Sequence, residues 1–348
     1  MICIQKEIER LERLYEGRRA FHGEMHDHSA SGGTSDGKTP LDAWKKQMAE
    51  LKMDFAAILD HRQVRHMYLP EWNDTVFIAG TEPGTGISDC NARDSHLHYN
   101  ILLPDRDLLA EILNEFPEYE FTGGIEGHFK YPWFTRERFC ELIDSVKAHG
   151  GMFVHPHPKQ VMDSDDPLDY WFRDETGIEV FYISMDSEET KANYPLWRSL
   201  LSAGKRVWAS AGGDLHTDAH DYALTTVYSE KQQCASFISH IRVGDYTCGG
   251  VGIRMAIGDT VMGGQCAFSG NTLIVSVKDF HDSVKLAGHD YRMDLFAGEE
   301  VVFSAPVNPD KTHYFAVPAK DAPFYRAEIF DETRNLRIAI GNPIWNER

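Results

Sequence analysis

The stretch FHGEMHDHS at residues 21–29 decides how the rest of the chain is interpreted. It comes directly before a loop rich in Gly, Ser and Thr. Residues two apart on a strand point to the same face. His26 and His28 at the end of a strand can therefore reach one metal ion together, each through a neutral ring nitrogen. Two histidines at this spacing also occur by chance on ordinary surfaces, so the interpretation depends on the residues further along the chain.

Further metal-binding side chains come after apolar runs that have the length of a strand. Such runs cover residues 55–59, 76–79, 152–154 and 207–211, and they are typical of strands buried in parallel sheets. Barrels of parallel strands build their active sites at the carboxyl ends of the strands, so these side chains are expected to converge. They are Asp60, His61, Glu82, His155, Asp214 and His216. His98 is the exception, because it opens its predicted strand instead of ending it.

Predicted strands alternate with predicted helices up to about residue 215, which is typical of an α/β fold with parallel strands. About seven strands can be counted there, and this number fits a distorted (β/α)7 barrel better than an open doubly wound sheet. The Gly-x-Gly-x-x-Gly motif of a dinucleotide-binding sheet does not follow the first strand, which counts against that fold. After Gly249 the pattern changes to short β-like runs separated by Gly, Asn, Asp and Pro. This pattern predicts a small antiparallel β-sandwich. The predicted domains are therefore a barrel over residues 1–248 and a sandwich over residues 249–348.

The charge balance of the chain is strongly acidic: 54 Asp and Glu against 35 Lys and Arg give a net charge of −19. Such a surface repels nucleic acid and anionic membranes, which are bound through basic patches. We therefore expect neither of them as a partner. An anionic small molecule would need a locally positive site, and bound cations can provide one.

The six cysteines are scattered along the chain, and no Cys-x-x-Cys pair occurs. In a chain of 348 residues this usage is typical of reduced thiols. The N-terminal segment lacks the apolar core of a signal peptide, and no apolar run is long enough to span a membrane. These features predict a cytoplasmic protein, and they leave its oligomeric state open.

The ligand-type residues form an ordered set of motifs. The motifs are His26-x-His28, Ser35-Asp36-Gly37, Asp60-His61, Glu82, His98, His155-Pro156 and Asp214-x-His216. Over about residues 19–249 this set resembles the PHP (polymerase and histidinol phosphatase) superfamily. The resemblance implies a distorted seven-stranded barrel with two or three metal ions, which in most members is a phosphoesterase. The ligands that it implies are His26, His28, Asp36, His61, Glu82, His98, His155, Asp214 and His216.

Three further segments are similar to a branch of this superfamily that includes carbamate hydrolases and carries a C-terminal β domain. They are residues 23–26, 98–100 and 341–345. Two positions depart from the common pattern. Glu24 stands where Asp is frequent, at a position that supports the ligands and does not bind metal itself. Asp36 stands at a ligand position where some members have His, so the presence of a third ion depends on it.

The resulting hypothesis is a metal-dependent hydrolase, most simply a phosphoesterase that uses a metal-bound hydroxide. Imidazoles suit zinc, iron or manganese, and carboxylates suit the harder of these ions. Glu82 is the candidate to bridge two ions, and we predict catalytic roles for Glu82, Asp214 and Arg62. Arg62, Lys38 and His157 are the candidates for contacts to an anionic phosphoester substrate.

Several alternatives stay open on sequence alone. His96 could replace His98 as a ligand, and Asp60 is expected to orient a neighbouring ligand by a hydrogen bond. The same site could cleave a carbamate, ester or amide, because a carbonyl oxygen makes similar demands on the metal ions. A metal-stabilised binding module is the alternative outside the enzymes, although a structural site is usually closed by four ligands.

Overall fold

The structure is a computed structural model that describes residues 3–89, 96–123, 126–161 and 172–347. The helices are α1 (Ile4–Leu14), α2 (Leu41–Glu50), α3 (Leu108–Glu115), α4 (Arg136–Ala148), α5 (Pro158–Val161), α6 (Glu188–Ser202) and α7 (Cys234–Ile241), with 3-10 turns at Arg65–Tyr68 and Pro117–Tyr119. Among the described residues, no helix is both long enough and apolar enough to cross a membrane.

Strands make up most of the regular structure. Those before residue 250 are β1 (Arg19–Asp27), β2 (Phe55–Ile58), β3 (Phe77–Thr81), β4 (Gly84–Ile87), β5 (His96–His98), β6 (Asn100–Leu103), β7 (Trp133–Phe134), β8 (Met152–His155), β9 (Gly177–Tyr182), β10 (Trp208–Gly212), β11 (Thr225–Ser229) and β12 (Tyr246–Gly249). The later ones are β13 (Val251–Ile257), β14 (Thr260–Val261), β15 (Gln265–Cys266), β16 (Thr272–Phe280), β17 (Tyr291–Ala297), β18 (Glu300–Val307), β19 (His313–Pro318), β20 (Phe324–Asp331), β21 (Leu336–Gly341) and β22 (Ile344–Asn346).

Helix α4 shows how the local sequence sets an element. The Thr135 hydroxyl accepts a hydrogen bond from the backbone N–H of Arg138 at 3.2 Å, a cap that stabilises a helix by about 1 kcal/mol. The helix ends before Gly150, whose φ of 76° suits a residue without a Cβ. The apolar face turned to the sheet is Phe139, Leu142, Ile143 and Val146. The spacing of three or four residues between them is what places these side chains on one face of the helix.

The large sheet has the strand order β10-β9-β8-β6-β3-β2-β1-β11-β12-β21-β20-β17-β18. The pairs β1–β2, β2–β3, β8–β9 and β9–β10 are parallel, as predicted. Strand β6 is antiparallel to both β3 and β8, and β11 is antiparallel to β1. The mixed α/β class is therefore confirmed, and the sheet combines the expected parallel pairs with antiparallel ones.

The described strands do not form a closed barrel. The ladder ends at β10, which lies beside β1 without a ladder between them, and the backbone link between the two is an isolated bridge from Asp27 to Leu215, after the end of β10. Two backbone hydrogen bonds support that bridge, from Asp214 to the His26 carbonyl at 2.7 Å and from His28 to the Leu215 carbonyl at 2.9 Å. The register of β1 against β2 shifts just before this point, and such irregularities bend a strand and re-aim its side chains. The sheet therefore curls until β10, at one end of it, lies beside β1 at the residues of the predicted site.

The C-terminal strands form a sandwich, and one of its sheets is the large sheet itself. Strand β12 pairs with β21, so the ladder continues from the first part of the chain into β20, β17 and β18. Strands β14, β13, β16 and β19 form the second sheet. The apolar core between the two sheets includes Val251, Ile253, Met255, Leu273, Val275, Met293, Leu295, Ala327, Ile329 and Ile338.

Helix α1 packs against this C-terminal part of the molecule. Leu11 and Tyr15 lie in one apolar cluster with Ala256 and Ile274 of the second sheet. Beside them, Arg254 forms an ion pair with Glu12, in which Nη2 lies 2.5 Å from Oε1. The division into residues 1–248 and 249–348 stays a prediction, and both α1 and the β12–β21 ladder cross it.

Candidate metal centre

The antiparallel direction of β6 brings His98 into the site. Thr81 of β3 lies opposite Ile101 of β6, and β6 in turn pairs with β8. Because β6 runs against both neighbours, its start lies at the edge where β3 and β8 end. His98, two residues before β6, consequently places Nδ1 3.0 Å from Oε1 of Glu82. A histidine that precedes β6 therefore lies at the same edge of the sheet as the residues that follow β3 and β8.

Glu82 is the centre of the cluster. Its side chain is 1% exposed, and five imidazoles surround its carboxylate. The nitrogens are Nε2 of His26, Nε2 of His28 and Nδ1 of His61, each 3.2 Å from Oε2, together with Nδ1 of His98 and Nε2 of His157, at 3.0 and 3.4 Å from Oε1. A carboxylate shared among several ligating nitrogens has the position of a bridging ligand between cations.

Asp214 forms the second side of the cluster. Its Oδ1 lies 3.0 Å from Nε2 of His28 and 3.4 Å from Nε2 of His26. Its Oδ2 accepts a hydrogen bond of 2.8 Å from the hydroxyl of Tyr182. Asp214 itself has a φ of 51°, a left-handed conformation that is uncommon outside glycine and typical of functional sites.

Asp36 lies at the outer rim of the cluster. Its Oδ1 is 3.1 Å from Nε2 of His216 and 3.6 Å from Nε2 of His61. Its side chain is 57% exposed, unlike that of Glu82. The rim is therefore the part of the cluster that is open to solvent and to a substrate.

The ligand atoms fall into three overlapping groups, and within each group all atoms lie within 4.8 Å of one another. The groups are His26, His28, Glu82 and Asp214; His28, Asp36, His61 and His216; and His61, Glu82 and His98. Each group shares at least one residue with another, so cations bound in them would be neighbours. The three groups are candidate positions for the two or three ions that the resemblance implies.

The donor atoms of the cluster fit divalent cations. Nε2 of His26 and Oε2 of Glu82 are buried, and neither makes a well-directed hydrogen bond within the described residues. Nδ1 of His26 lies 3.0 Å from Oε1 of Glu179, so the ring donates there and turns the lone pair of Nε2 towards the cluster. Nδ1 of His216 likewise contacts the Asp214 carbonyl at 2.8 Å, which leaves its Nε2 facing Asp36. Neutral imidazoles and carboxylates in this arrangement are ligands for zinc, manganese or iron.

The electrostatics of the cluster also favour a bound cation. Burial alone would raise the pKa of Glu82, but the neighbouring histidines, His26 above all, hold that pKa well below its usual range. Burial would lower the pKa of His28, but Asp214 and Glu82 raise it to about 9. Protons on the histidines thus balance the buried carboxylates, and metal ions would take their place as the compensating positive charge.

The structure moves one predicted ligand out of the cluster. His155 lies in an aromatic surrounding, with ring centroids 5.1 Å from Phe153 and 4.8 Å from Phe172. Residues two apart on a strand share a face, and both Phe153 and His155 face Phe139 of α4, on the outer side of the sheet. Burial lowers the pKa of His155 to about 3, so the ring is neutral. Its predicted metal role is not supported by this geometry.

His157 takes the place that was predicted for His155. Its φ of 30° turns the chain back towards the site, and its Nε2 lies 3.4 Å from Oε1 of Glu82. Its backbone N–H donates to Oε2 of Glu179 at 2.7 Å. The structure thus places His157, which we predicted as a substrate contact, beside Glu82 at the candidate metal centre.

Two supporting residues on β9 escaped the sequence analysis. Glu179 holds both the ring of His26 and the backbone of His157, and Tyr182 holds Asp214. The one available signal was Glu179, a charged residue within an otherwise apolar strand. Glu24 has a related role, because Oε2 accepts the Gly213 N–H at 2.8 Å and so fixes the turn before Asp214.

Asp60 supports the site without facing a metal position. Its Oδ1 accepts the backbone N–H of Ser29 at 2.6 Å, and its Oδ2 accepts the Ser29 hydroxyl at 2.8 Å. These bonds hold the loop that comes after His28. We expected Asp60 to orient a ligand directly, and these two bonds go to Ser29 instead. The side chain of His96, the alternative to His98, lies outside the described residues.

The predicted substrate residues occupy different positions. Arg62 lines a cavity of about 540 Å³, and its guanidinium makes no hydrogen bond or ion pair to any side chain that the structure describes. The other lining residues are Thr34, Asp36, His61, Gly84, His98, Tyr131 and Trp133. Lys38 is exposed and does not line this cavity, although its backbone N–H donates to the His216 carbonyl at 2.7 Å. Arg62 is thus the better placed of the two to meet a substrate.

No protein-family model and no curated protein matches this sequence. Solved structures do show similarity. One is a two-domain protein from Bacteroides vulgatus that contains a predicted PHP-like metal-dependent phosphoesterase, with 11% identity, coverage of 91% of each chain and a TM-score of 0.42. Another, from Bifidobacterium adolescentis, is described as a candidate metal-dependent phosphoesterase, with 16% identity, coverage of 57% of this chain and 89% of that chain, and a TM-score of 0.35.

A third similar structure is Endonuclease Q in complex with a 27-mer duplex that carries an abasic lesion, with 11% identity, coverage of 66% of this chain and 58% of that chain, and a TM-score of 0.42. It overturns one prediction: we excluded nucleic acid as a partner from the net charge, and that exclusion was wrong. Net charge describes the whole surface, whereas a phosphate is met by local groups, including bound cations. One of these similar structures is described as containing a predicted PHP-like phosphoesterase, the superfamily that the sequence motifs resemble. The carbamate-hydrolase branch stays a prediction.

Proposed function

We propose that this chain is a metal-dependent hydrolase that cleaves phosphoesters. The observation that carries the proposal is the buried carboxylate of Glu82, whose Oε2 lies 3.2 Å from ligating nitrogens of three histidines. A structural site would be closed by four ligands, but here three overlapping groups of ligands end at an open rim. The proposed class agrees with that of the similar structures, and it rests on the metal centre rather than on them.

Each part of the cluster has a role in this proposal. His26, His28, Glu82 and Asp214 would hold one ion, and the groups at the rim would hold a second and a third. Bound divalent ions supply Lewis acidity, which neutralises phosphoryl oxygens and activates water near neutral pH. Glu179 keeps the ring of His26 in the tautomer that binds a cation, through the 3.0 Å contact to Nδ1.

Arg62 is our candidate for the group that orients the substrate. It lines the cavity next to His61 and His98, so an ester held at the metal centre would lie within the reach of its guanidinium. A guanidinium can bind two phosphate oxygens at once. In a chain with a net charge of −19, this local positive charge would also offset the repulsion of an anionic substrate.

The proposal extends to the metal and the location. Two ions are the smaller set that the donor groups support, and zinc, manganese and iron all suit imidazole and carboxylate ligands. We propose a cytoplasmic location, because reduced cysteines are typical of that compartment. The five described cysteines, Cys3, Cys140, Cys234, Cys248 and Cys266, are all free.

The test is the metal content of the purified protein, measured together with hydrolysis of p-nitrophenyl phosphate and of a carbamate ester in manganese or zinc. We expect two or more ions per chain and phosphoester turnover. H26A should lose an ion and turnover while staying folded. The matched control is H313A, which removes a partly exposed histidine of the sandwich.

Each other outcome has a defined meaning. Turnover of the carbamate ester alone would replace the phosphoester with the carbamate as the substrate class. Unfolding of H26A together with loss of its metal would indicate a structural site and a binding module. Absence of stoichiometric metal under every loading condition would refute the proposal.

A further inference from the structure

Two aromatic side chains, Tyr131 and Trp133, lie beside the metal centre along a small separate sheet, and we call them the aromatic wall. Strand β4 pairs with β5 on one side and with β7 on the other. In these pairs Gly84 lies opposite His98, and Gly86 lies opposite Trp133. Opposite residues share a face, as do residues two apart on a strand. Gly84, Gly86, His98 and Trp133 therefore lie on the same face, which leads from the metal centre to Trp133.

The two glycines form a floor on which two aromatic rings lie. A Cβ added to Gly84 would come within 2.2 Å of the Tyr131 ring, and one added to Gly86 within 2.5 Å of the Trp133 ring. Any side chain at these positions would displace the rings. The Tyr131 hydroxyl donates to the Thr85 carbonyl at 2.6 Å, which fixes that ring. The rings consequently lean over β4, towards the strand that ends in His98.

The two faces of this sheet differ sharply in exposure. The opposite face carries Ile87, Leu97 and Phe134, which are buried at 1–2% exposure. On the glycine face, Trp133 is 57% exposed and lines the cavity that also holds Arg62 and His98. Among the tryptophans that the structure describes, the other five are buried at 9% exposure or less. The exposed one is thus the one beside the metal ligands.

A simpler explanation is that the rings only cover the weak glycine strand, since aromatic side chains can stabilise a sheet in this way. That explanation accounts for the contact with the glycines. It does not account for the position of both rings in one cavity with the candidate ligand His98 and with Arg62, whose guanidinium has no partner among the described side chains. A flat ring face next to a phosphate-binding cation is the combination that binds nucleotides and aryl esters.

We infer that the substrate carries a planar aromatic ring, which stacks on Trp133 beside Tyr131 while its phosphate lies at the metal ions and Arg62. This inference rests on the proposed phosphoesterase function and names its substrate class: a phosphoester of a nucleoside or of another alcohol with an aromatic ring. Trp133 acts in it as a specificity-determining residue, not as a catalytic one.

Two matched pairs of substrates test the inference. Adenosine 5′-monophosphate is compared with ribose 5-phosphate, and benzyl phosphate with cyclohexylmethyl phosphate, in the metal-loaded protein. We expect wild type to prefer the aromatic member of at least one pair in kcat/KM, and the adenosine pair to distinguish a nucleobase from a simple aryl ring. W133A should lower that preference by about tenfold, or about 1.4 kcal/mol, and W133F should restore most of it. The control is Y222A, an aromatic that is 53% exposed at a different cleft.

The outcomes separate the inference from the proposed function. Turnover of both members with an unchanged preference in W133A would overturn the aromatic wall and leave the phosphoesterase standing. If no phosphoester is cleaved, the proposed function fails, and saturation-transfer NMR on adenosine 5′-monophosphate decides about the wall. Saturation of the adenine protons that disappears in W133A supports stacking on Trp133, and equal saturation in both proteins refutes it.

Discussion

Two buried carboxylates, Glu82 and Glu328, have opposite kinds of surroundings. Glu328 on β20 accepts three hydrogen bonds, from Nε of Arg326 at 2.8 Å, from Nε of Arg337 at 2.6 Å and from the hydroxyl of Tyr194 at 2.8 Å. Its charge is balanced by permanent cations within the chain. Glu82 is as deeply buried, but its neighbours are histidines, whose positive charge depends on a proton that a metal ion can replace.

The difference shows what each cluster is for. Arginines keep their charge at every accessible pH, so the Glu328 cluster is complete as folded and holds α6 on the C-terminal sheet. The Glu82 cluster contains many acceptors and no permanent cation of its own, so it is completed by something bound. A change in the Glu328 cluster should therefore lower stability and leave activity intact, and a change in the Glu82 cluster should lower metal binding and activity.

The largest expected effect on stability is that of E328Q. This change leaves Arg326 and Arg337 buried or half-buried with one negative charge fewer, and breaking a buried pair in this way costs about 3–5 kcal/mol. We expect that loss in the free energy of unfolding, measured by urea denaturation. The specific activity of the folded fraction should be unchanged.

A control is E299Q, because Glu299 is 30% exposed and lies 3.5 Å from Arg326. It should cost less than about 1 kcal/mol. Loss of metal from E328Q without loss of stability would contradict the division between the two clusters.

The largest expected effect on activity is that of E82Q. The amide keeps the shape of the side chain but removes the charge that two cations would share. We expect loss of at least one ion and a fall in kcat/KM of more than about 100-fold, or about 2.7 kcal/mol of transition-state stabilisation. Metal analysis and steady-state kinetics measure the two effects.

The stabilisation by metal is part of the same prediction. Ions that bind only the folded protein should raise the free energy of unfolding by about 2.7 kcal/mol at 100 times their dissociation constant. Chelation should remove this increment from wild type and from E328Q, but remove much less of it from E82Q. An equal response of all three proteins would place the ions elsewhere.

The position of His155 outside the cluster predicts how the stability of the protein depends on pH. The pKa of His155 lies near 3 in the folded protein because of burial, against about 6.5 in an unfolded chain. The folded state then binds fewer protons, so the free energy of unfolding should fall as the pH is lowered from 6.5 towards 3. In metal-free protein, H155L should reduce that fall, as urea denaturation at several pH values would show.

H157Q provides the matched comparison at the metal centre. We expect H155L to keep its metal and its turnover, and H157Q to lose turnover by about tenfold or more. The reverse result would restore His155 as a ligand and remove His157.

The sequence was sufficient where a residue's position follows from its own strand. The spacing of His26 and His28 and the place of Glu82 after an apolar run are local properties, and both led to the centre of the cluster. The direction of β6 depends on its neighbours, so the sequence could not explain His98. Glu179 and Tyr182 lie within β9, where only the folded sheet shows which side chains face the site. Whether the sheet closes is likewise decided by contacts between distant strands.

The smallest expected effects come from two tyrosines that each donate to one of the buried acids. The Tyr182 hydroxyl donates to Asp214 and the Tyr194 hydroxyl donates to Glu328, both at 2.8 Å. A hydrogen bond to a charged group contributes about 1.5–3 kcal/mol. Y182F should therefore lower kcat/KM about tenfold and raise the metal concentration needed for half of the full activity.

Y194F should affect stability and not activity. It should lower the free energy of unfolding by about 1.5 kcal/mol and leave the metal dependence of turnover unchanged. The two variants remove the same atom, and both hydroxyls face a carboxylate in a folded core, so a general effect of losing a tyrosine hydroxyl would appear in both. A metal titration of activity and a urea titration of stability on the same two proteins measure the contrast. If Y182F changes stability alone, Asp214 is held for the fold and not for the metal, because positioning a ligand is the one role that alters the metal dependence.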